Sequence, residues 1–120
     1  MTTIGTSYGG VSLSGGGVQL AAGTYTIDYT WQADAAGSGT SASELVSAYL
    51  TLSGTEVAGS RIKATTSTSP SIEDQVSNSI TITVPAGGGV LMLNNGAVAT
   101  AGHNSSLTGI TGSINVQRVQ

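Results

Sequence analysis

The chain has 120 residues, of which 18 are glycine and none is cysteine, and its formal net charge at pH 7 is -3. This length favours a single domain, and the lack of cysteine excludes disulfides and thiolate metal sites. With three lysine and arginine residues in all and no run near the ~20 apolar residues of a membrane helix, we expect neither a nucleic-acid partner nor a membrane partner.

Residues 1–17 are predicted to form an N-terminal arm or first strand, and residues 18–120 are predicted to form the main domain. Small apolar residues are interspersed with glycine clusters near the N-terminus, which is compatible with short strands at Tyr8–Leu13 and Val18–Leu20. The first five residues include neither a basic region nor a long apolar run, so we expect no secretion signal.

The clearest predicted strand runs from Gly23 to Trp31. Large apolar side chains alternate with short polar ones along it, and a strand places alternate side chains on opposite faces. We interpret it as the central core strand, with four inward-facing residues: Tyr25, Ile27, Tyr29 and Trp31. The small and polar residues 33–43 that follow are predicted to form a surface loop.

The next predicted strand, Glu44–Ser53, is apolar on both faces, as is the later run Val90–Leu93. A strand of this kind is covered on both sides, either by the two sheets of its own chain or by another subunit. We favour a subunit interface, because contiguous apolar surface marks self-association. The interface residues predicted are Leu45 and Tyr49, together with either Leu91 and Leu93 or Val90 and Met92.

The remaining predicted strands are Arg61–Thr66, Asn78–Val84 and Ser113–Val119, with a weak strand at Ala97–Ala101 and a polar loop at Thr65–Asp74. No stretch shows helical periodicity, and the mean hydropathy of +0.18 argues against disorder. About eight to ten short strands separated by turn signals indicate an all-β, antiparallel sandwich or jelly roll. Further core residues expected in it are Ile80, Ile82, Ile114 and Val116.

Residues that could carry chemistry are few. His103 is the only histidine and lies among turn-forming residues, so we interpret it as a polar loop or axial residue. Glu73 and Asp74 supply two carboxylates, whereas a calcium loop brings three or more oxygen ligands close together. We therefore expect no catalytic residue, no cofactor and no metal site, and we expect that the protein is not an enzyme.

The charged residues are also sparse. Arg61, Lys63 and Arg118 are the only cations, and we expect them to meet Glu44 or Glu56 across subunits. Exposed ion pairs contribute about 0–1 kcal/mol each, so such pairs would set the register of an assembly more than its stability.

Four motifs occur in a fixed order between residues 18 and 119: Leu20-x-Ala22-Gly23-Thr24-Tyr25-x-Ile27-x-Tyr29, then Ala48-x-Leu50-x-Leu52-Ser53-Gly54-Thr55-x-Val57-x-Gly59-Ser60, then Ser79-x-Thr81-x-Thr83-Val84-x-Ala86-Gly87 with Val90-Leu91-x-Leu93, and last Gly112-Ser113-Ile114-Asn115-Val116-x-Arg118-Val119. Each motif alone is common among β domains. Their order and spacing resemble the tumour-necrosis-factor-like and complement-type jelly-roll domains, especially the bacterial head domains of collagen-like spore-surface glycoproteins and phage decoration or head-fibre proteins.

The resemblance implies a compact homotrimer with a surface, display or receptor-binding role and no catalysis. The glycines show no period of three, so no collagen-like stretch is present. A head domain that starts at its own methionine fits a capsid decoration or head-fibre protein of a phage-like particle, made in the host cytoplasm and bound to capsid proteins on the virion surface. The alternatives are a spore- or cell-surface head domain, and a carbohydrate- or receptor-binding module whose site lies on loops 33–43 and 65–77.

Overall fold

The structure is a computed structural model that describes residues 11–14, 16–33, 45–65, 74–96 and 112–120. Every regular element in these ranges is a β-strand, and they hold no helix of the length and hydrophobicity that crossing a membrane requires. The strands are β1 (Val11–Ser14), β2 (Gly17–Leu20), β3 (Gly23–Ala33), β4 (Leu45–Leu52), β5 (Thr55–Glu56), β6 (Ile62–Thr65), β7 (Asp74–Val84), β8 (Gly89–Asn95) and β9 (Gly112–Arg118).

The strands form two antiparallel sheets. The six-stranded sheet has the order β1-β2-β8-β4-β5, with β6 also paired to β4, and the three-stranded sheet has the order β7-β3-β9. β3 pairs with β7 without interruption from Gly23 opposite Val84 to Ala33 opposite Asp74. The all-β, antiparallel class predicted from the sequence is confirmed. Because β1 pairs with β2, residues 11–14 of the predicted N-terminal arm belong to the six-stranded sheet.

The main hydrophobic core lies between the two sheets. Tyr25, Ile27 and Tyr29 of β3 are buried, and the alternation along β3 directs them all toward the six-stranded sheet. Leu50 and Leu91 meet them from that sheet, and each is fully buried. Burial of a leucine side chain contributes about 1.5–3 kcal/mol, so this layer supplies much of the stability. The partly buried residues packed against it include Ile80, Ile114 and Val116, while Ile82 is buried within it.

A second cluster, of Val46, Ala48 and Val76, extends the core toward one end of the sandwich. Trp31 packs against this cluster and is half-buried. Its indole N–H is buried and has no hydrogen-bond acceptor among the residues that the structure describes. The aromatic face predicted for β3 therefore spans both clusters.

Strand β7 begins earlier than the sequence predicts. Residues 74–77 were expected to belong to a polar loop, and the structure shows that this is wrong, because they pair with residues 30–33 of β3. Their polar character reflects a strand with one solvent-facing side. The predicted loop 33–43 lies outside the described residues except for Ala33, which ends β3. Ala97–Ala101, His103 and Glu73 also lie outside them.

The strand ends that flank residues 34–44, 66–73 and 97–111 lie at one end of the sandwich. Within the sheets, Ala33 lies opposite Asp74, Trp31 opposite Gly112, Leu45 opposite Thr65, and Ala48 opposite Asn95. Trp31 and Val76 pack with Val46 and Ala48, so these ends of the two sheets coincide. The other end holds the short connections β2–β3, β4–β5 and β7–β8, together with the C-terminal residues, where the Thr24 N–H donates to the Gln120 carbonyl oxygen at 2.8 Å.

Candidate interaction surfaces

The register of β8 decides which of its apolar residues face the core. Leu91 lies opposite Val18 of β2 and Leu52 of β4, and it is fully buried inside the chain. Leu93, two residues on, packs against both hydrophobic clusters. Leu91 therefore leaves no surface for a second subunit, and Leu93 also faces the core. Of the two pairs left open by the sequence, Val90 and Met92 are the pair that faces outward.

Val90 and Met92 lie partly over the neighbouring strand β2. A Cβ atom on Gly17 would come within 2.7 Å of the Met92 Cγ and the Val90 Cγ1 atoms. Glycine at this position is what allows the two side chains to lie across β2. Both are half-buried in the single chain as a result.

Tyr49 lies on the same outer face, since its neighbours Ala48 and Leu50 both point into the core. The Arg61 guanidinium carbon lies 4.1 Å from the centroid of the Tyr49 ring. A cation at this distance is attracted to the ring, by about 0.5–1 kcal/mol at an exposed site. Leu45, the other interface candidate, begins β4 opposite Thr65, and its side chain lies outside the described part of the structure.

Arg61 also forms a two-point ion pair with Glu56. Its Nη2 and Nε atoms lie 2.7 Å and 2.9 Å from the two Glu56 carboxylate oxygens. This hydrogen-bonded pairing holds the pKa of Glu56 below its usual range and raises that of Arg61. The pair forms within one chain, whereas the sequence predicted contacts across subunits, because the β4–β5 hairpin and the turn after it bring the two residues together.

Asn94 orders the polar part of this surface. Its side-chain amide nitrogen donates to the Thr51 hydroxyl oxygen at 3.1 Å and to the Met92 carbonyl oxygen at 3.2 Å. The result is a surface of fixed apolar and polar side chains on the outside of the six-stranded sheet. We call it the tyrosine face and define it by Tyr49, Thr51, Arg61, Val90, Met92 and Asn94.

The outside of the three-stranded sheet is different in character. All of its side chains on β3, β7 and β9 are short hydroxyl or amide groups apart from Asp28, which is exposed. We call this surface the hydroxyl face; its described members are Thr24, Thr26, Asp28, Thr30, Gln32, Gln75, Ser77, Ser79, Thr81, Thr83, Ser113, Asn115 and Gln117. Asp28 is the only charged residue of the hydroxyl face, whereas the outside of the six-stranded sheet carries Glu56 and Arg61 and also Lys63, which lies opposite Ser47.

A buried polar network joins the two sheets at the core. The Tyr29 hydroxyl donates a hydrogen bond to the Ser60 carbonyl oxygen and accepts one from the Asn78 amide nitrogen at 3.1 Å. The Ser60 hydroxyl oxygen accepts from the Leu50 N–H at 3.1 Å and donates to the Val57 carbonyl oxygen at 2.7 Å. Burial raises the pKa of Tyr29, and the hydrogen bond from Asn78 opposes this rise.

Sequence reasoning missed this network. Ser60 is fully buried, but a serine after a glycine in a turn is ordinarily read as a surface residue. The contact with Tyr29 spans 31 positions in the sequence. Only the Gly59-Ser60 pair within the second motif of the resemblance pointed to this position.

Side chains that could bind a metal are not grouped in the described part of the chain, which holds no cluster of three histidine, aspartate or glutamate residues. By register, Asp28 lies between Ser79 and Asn115, neither of which carries a charge.

No family model, no curated protein and no solved structure matches the chain.

Proposed function

We propose that the chain is a non-enzymatic jelly-roll protein that assembles as a homotrimer and decorates the surface of a phage-like particle, as a capsid decoration or head-fibre component. The proposal joins three parts: the jelly-roll topology, the self-association, and the place of assembly. Each part has its own support and its own test.

The pairing pattern supports the jelly roll. The pairs β2–β8, β3–β7 and β4–β6 are nested in the sequence, as they are when one long antiparallel hairpin is wound into two sheets. The cross-pairs β3–β9 and β4–β8 then join the wound hairpins side by side. A complete jelly roll has one more strand beside its last one, and that position lies outside the described residues.

The tyrosine face carries the proposal of self-association. It presents Tyr49, Val90 and Met92 outward, and Arg61 is already neutralised and held in place by Glu56. Tyrosine, methionine and arginine are enriched at the centres of protein interfaces. Because the side chains are ordered before contact, a second copy binding there loses less conformational entropy.

The particle-surface role rests on the resemblance to trimeric display domains. In such domains the fold is a scaffold, and its broad outer surfaces meet neighbouring proteins. The low charge of the hydroxyl face suits a protein that is held among neighbours. A spore- or cell-surface head domain of the same fold would use the same surfaces.

A native mass measurement tests the trimer. We expect a mass of three chains, or a multiple of three, for the wild type. We expect Met92→Lys, which places a charge on the tyrosine face, to lose this threefold unit. Gln117→Lys, which adds the same charge to the hydroxyl face, is the matched control and should remain trimeric. A monomeric wild type would overturn the trimer, and an unchanged Met92→Lys trimer would exclude the tyrosine face as its interface.

The place of assembly has a separate test. Immunogold labelling of particles and cells from the source, with an antibody against the purified protein, should label particle surfaces. Label confined to spores or cell walls would favour the head-domain alternative.

A carbohydrate- or receptor-binding module is the second candidate function. The strand ends that flank residues 34–44, 66–73 and 97–111 lie together at one end of the sandwich, and sandwich domains commonly carry binding loops at one end. Retention on a glycan array, with no labelling of particles, would favour this function over the structural one.

A further inference from the structure

The backbone hydrogen bonds at the start of β3 determine which groups of β7 remain free. The Thr24 N–H donates to Gln120 and its carbonyl accepts from Val119, so both Thr24 groups point to the β9 side. Successive residues of a strand point to opposite sides. Tyr25 and every second residue after it therefore point to β7, where they pair with its core-facing residues.

The other residues of β7 direct their N–H and C=O groups away from the sheet. These residues are Gln75, Ser77, Ser79, Thr81 and Thr83, and all five are exposed. Within the described ranges none of their backbone groups has a hydrogen-bond partner. The free edge is long, since β7 has 11 residues.

This edge also lacks the features that protect edge strands. Its pairing with β3 runs through all 11 positions without a bulge. β7 contains no proline, lysine or arginine, and Pro85 follows only after the strand has ended. Natural proteins usually place bulges, prolines or charges on edges that must not pair with another chain.

We infer that β7 pairs antiparallel with β7 of a second copy of this chain, related by a twofold axis. The register that uses all five free residues places Ser79 opposite Ser79, Ser77 opposite Thr81, and Gln75 opposite Thr83. The two three-stranded sheets then become one continuous six-stranded sheet. The contact is isologous, because each copy contributes the same surface.

The charge pattern favours a second copy as the occupant. From Gln75 to Thr83 the strand carries no charged side chain, so self-pairing brings no like charges together. The one acid of the strand, Asp74, lies opposite Val84 of the other copy in this register. Serine and threonine hydroxyls meet across the axis, and such pairs stabilise adjacent strands.

This contact goes beyond the proposed trimer, because it uses a strand edge and not the tyrosine face. If both contacts form, twofold contacts join trimers into a hexamer or a larger lattice. If only one forms, the assembly is a trimer or a dimer. The two proposals therefore succeed or fail separately.

Hydrogen exchange measured by NMR on the wild-type protein is the direct test. The amide protons of the five free β7 residues should exchange more slowly as the protein concentration rises. The β9 amides of Ile114 and Val116, which by the same alternation point away from β3, are the internal control and should not change. Exchange at the five β7 amides that is independent of concentration would overturn the inference.

A variant pair tests the same contact through mass. Thr81→Pro removes one outward N–H without removing a bond to β3, and edge strands tolerate proline at such positions. Because the twofold axis repeats the change in the second copy, two hydrogen bonds are lost, and the dissociation constant of the β7 contact should rise roughly thirtyfold. Thr81→Val keeps the N–H and should associate like the wild type. Equal association of Thr81→Pro and Thr81→Val, with both folded by circular dichroism, would contradict the pairing.

The variant Met92→Lys separates this inference from the proposed trimer. If the tyrosine face forms the trimer and β7 forms the twofold contact, Met92→Lys should be a dimer whose five β7 amides remain protected. A Met92→Lys monomer with unprotected amides would overturn the β7 contact, whatever the mass of the wild type.

Discussion

Replacing Tyr29 by phenylalanine should destabilise the protein by about 1–3 kcal/mol. The change removes the hydroxyl that donates to the Ser60 carbonyl oxygen, and Ser60 is fully buried. A buried carbonyl left without a donor costs about 1–3 kcal/mol. The bond from Asn78 is lost as well, but Asn78 is half-buried and can turn to water, so it adds little.

Tyr25→Phe is the matched control for this change. The Tyr25 ring is fully buried like that of Tyr29, but its hydroxyl donates to the carbonyl of Ala21 at 2.9 Å, and Ala21 is exposed. Water can replace the lost donor there. We expect a loss of about 1 kcal/mol or less for this variant.

Urea denaturation followed by tryptophan fluorescence measures both variants. With a slope of about 1–3 kcal/mol per molar urea for a small domain, the Tyr29 variant should lower the midpoint by roughly 1 M. Equal midpoints for Tyr29→Phe and Tyr25→Phe would refute the reasoning, because burial of the acceptor would then have no effect.

Three further outcomes follow from the same structure. Burial raises the pKa of Tyr29 above its ordinary value near 10, so its contribution to stability is complete below about pH 10 and is lost as the pH rises through the folded-state pKa. Urea midpoints measured across alkaline pH should therefore fall more steeply for the wild type than for Tyr29→Phe. Parallel curves would contradict this. Gly88→Ala should lower the melting temperature more than Gly87→Ala does. Both glycines have positive φ, but a Cβ on Gly88 would lie 2.4 Å from the Leu20 carbonyl oxygen, whereas one on Gly87 meets nothing within 4 Å. Equal melting temperatures for the two variants would contradict the steric explanation. Leu91→Asp should unfold the chain and Met92→Asp should leave it folded by circular dichroism, because the two side chains lie on opposite faces of β8. The reverse result would show that Met92, and not Leu91, faces the core.

The central strand shows how much the sequence alone could predict. β3 has one face of large apolar residues and one of short polar residues, so its pattern permits only one orientation in a sandwich. The structure places Tyr25, Ile27 and Tyr29 in the core and leaves Asp28 exposed. Its two ends lie within two residues of the predicted ones, at Gly23 and Ala33.

β8 shows why part of the fold could not be predicted. Both rows of its side chains are apolar, so hydrophobic alternation does not distinguish Leu91 and Leu93 from Val90 and Met92. The decision comes from pairing with β2 and β4, which lie about 40 to 70 positions earlier in the sequence. Long-range register of this kind leaves no local signal.

The contacts on the surface also could not be predicted from the sequence alone. The Arg61–Glu56 pair could be suspected from the scarcity of charges, but its formation within one chain depends on the turn after β5. The free edge of β7 depends on sheet order, which local patterns do not specify. The sequence lists the residues of both faces, but it does not predict which of them become neighbours across the strands.

The native mass of the purified protein tests the central claim of self-assembly most directly. A single chain has a mass of 11.8 kDa. The account predicts three chains, or a multiple of three where β7 edges join trimers. A single-chain mass at all concentrations would contradict it.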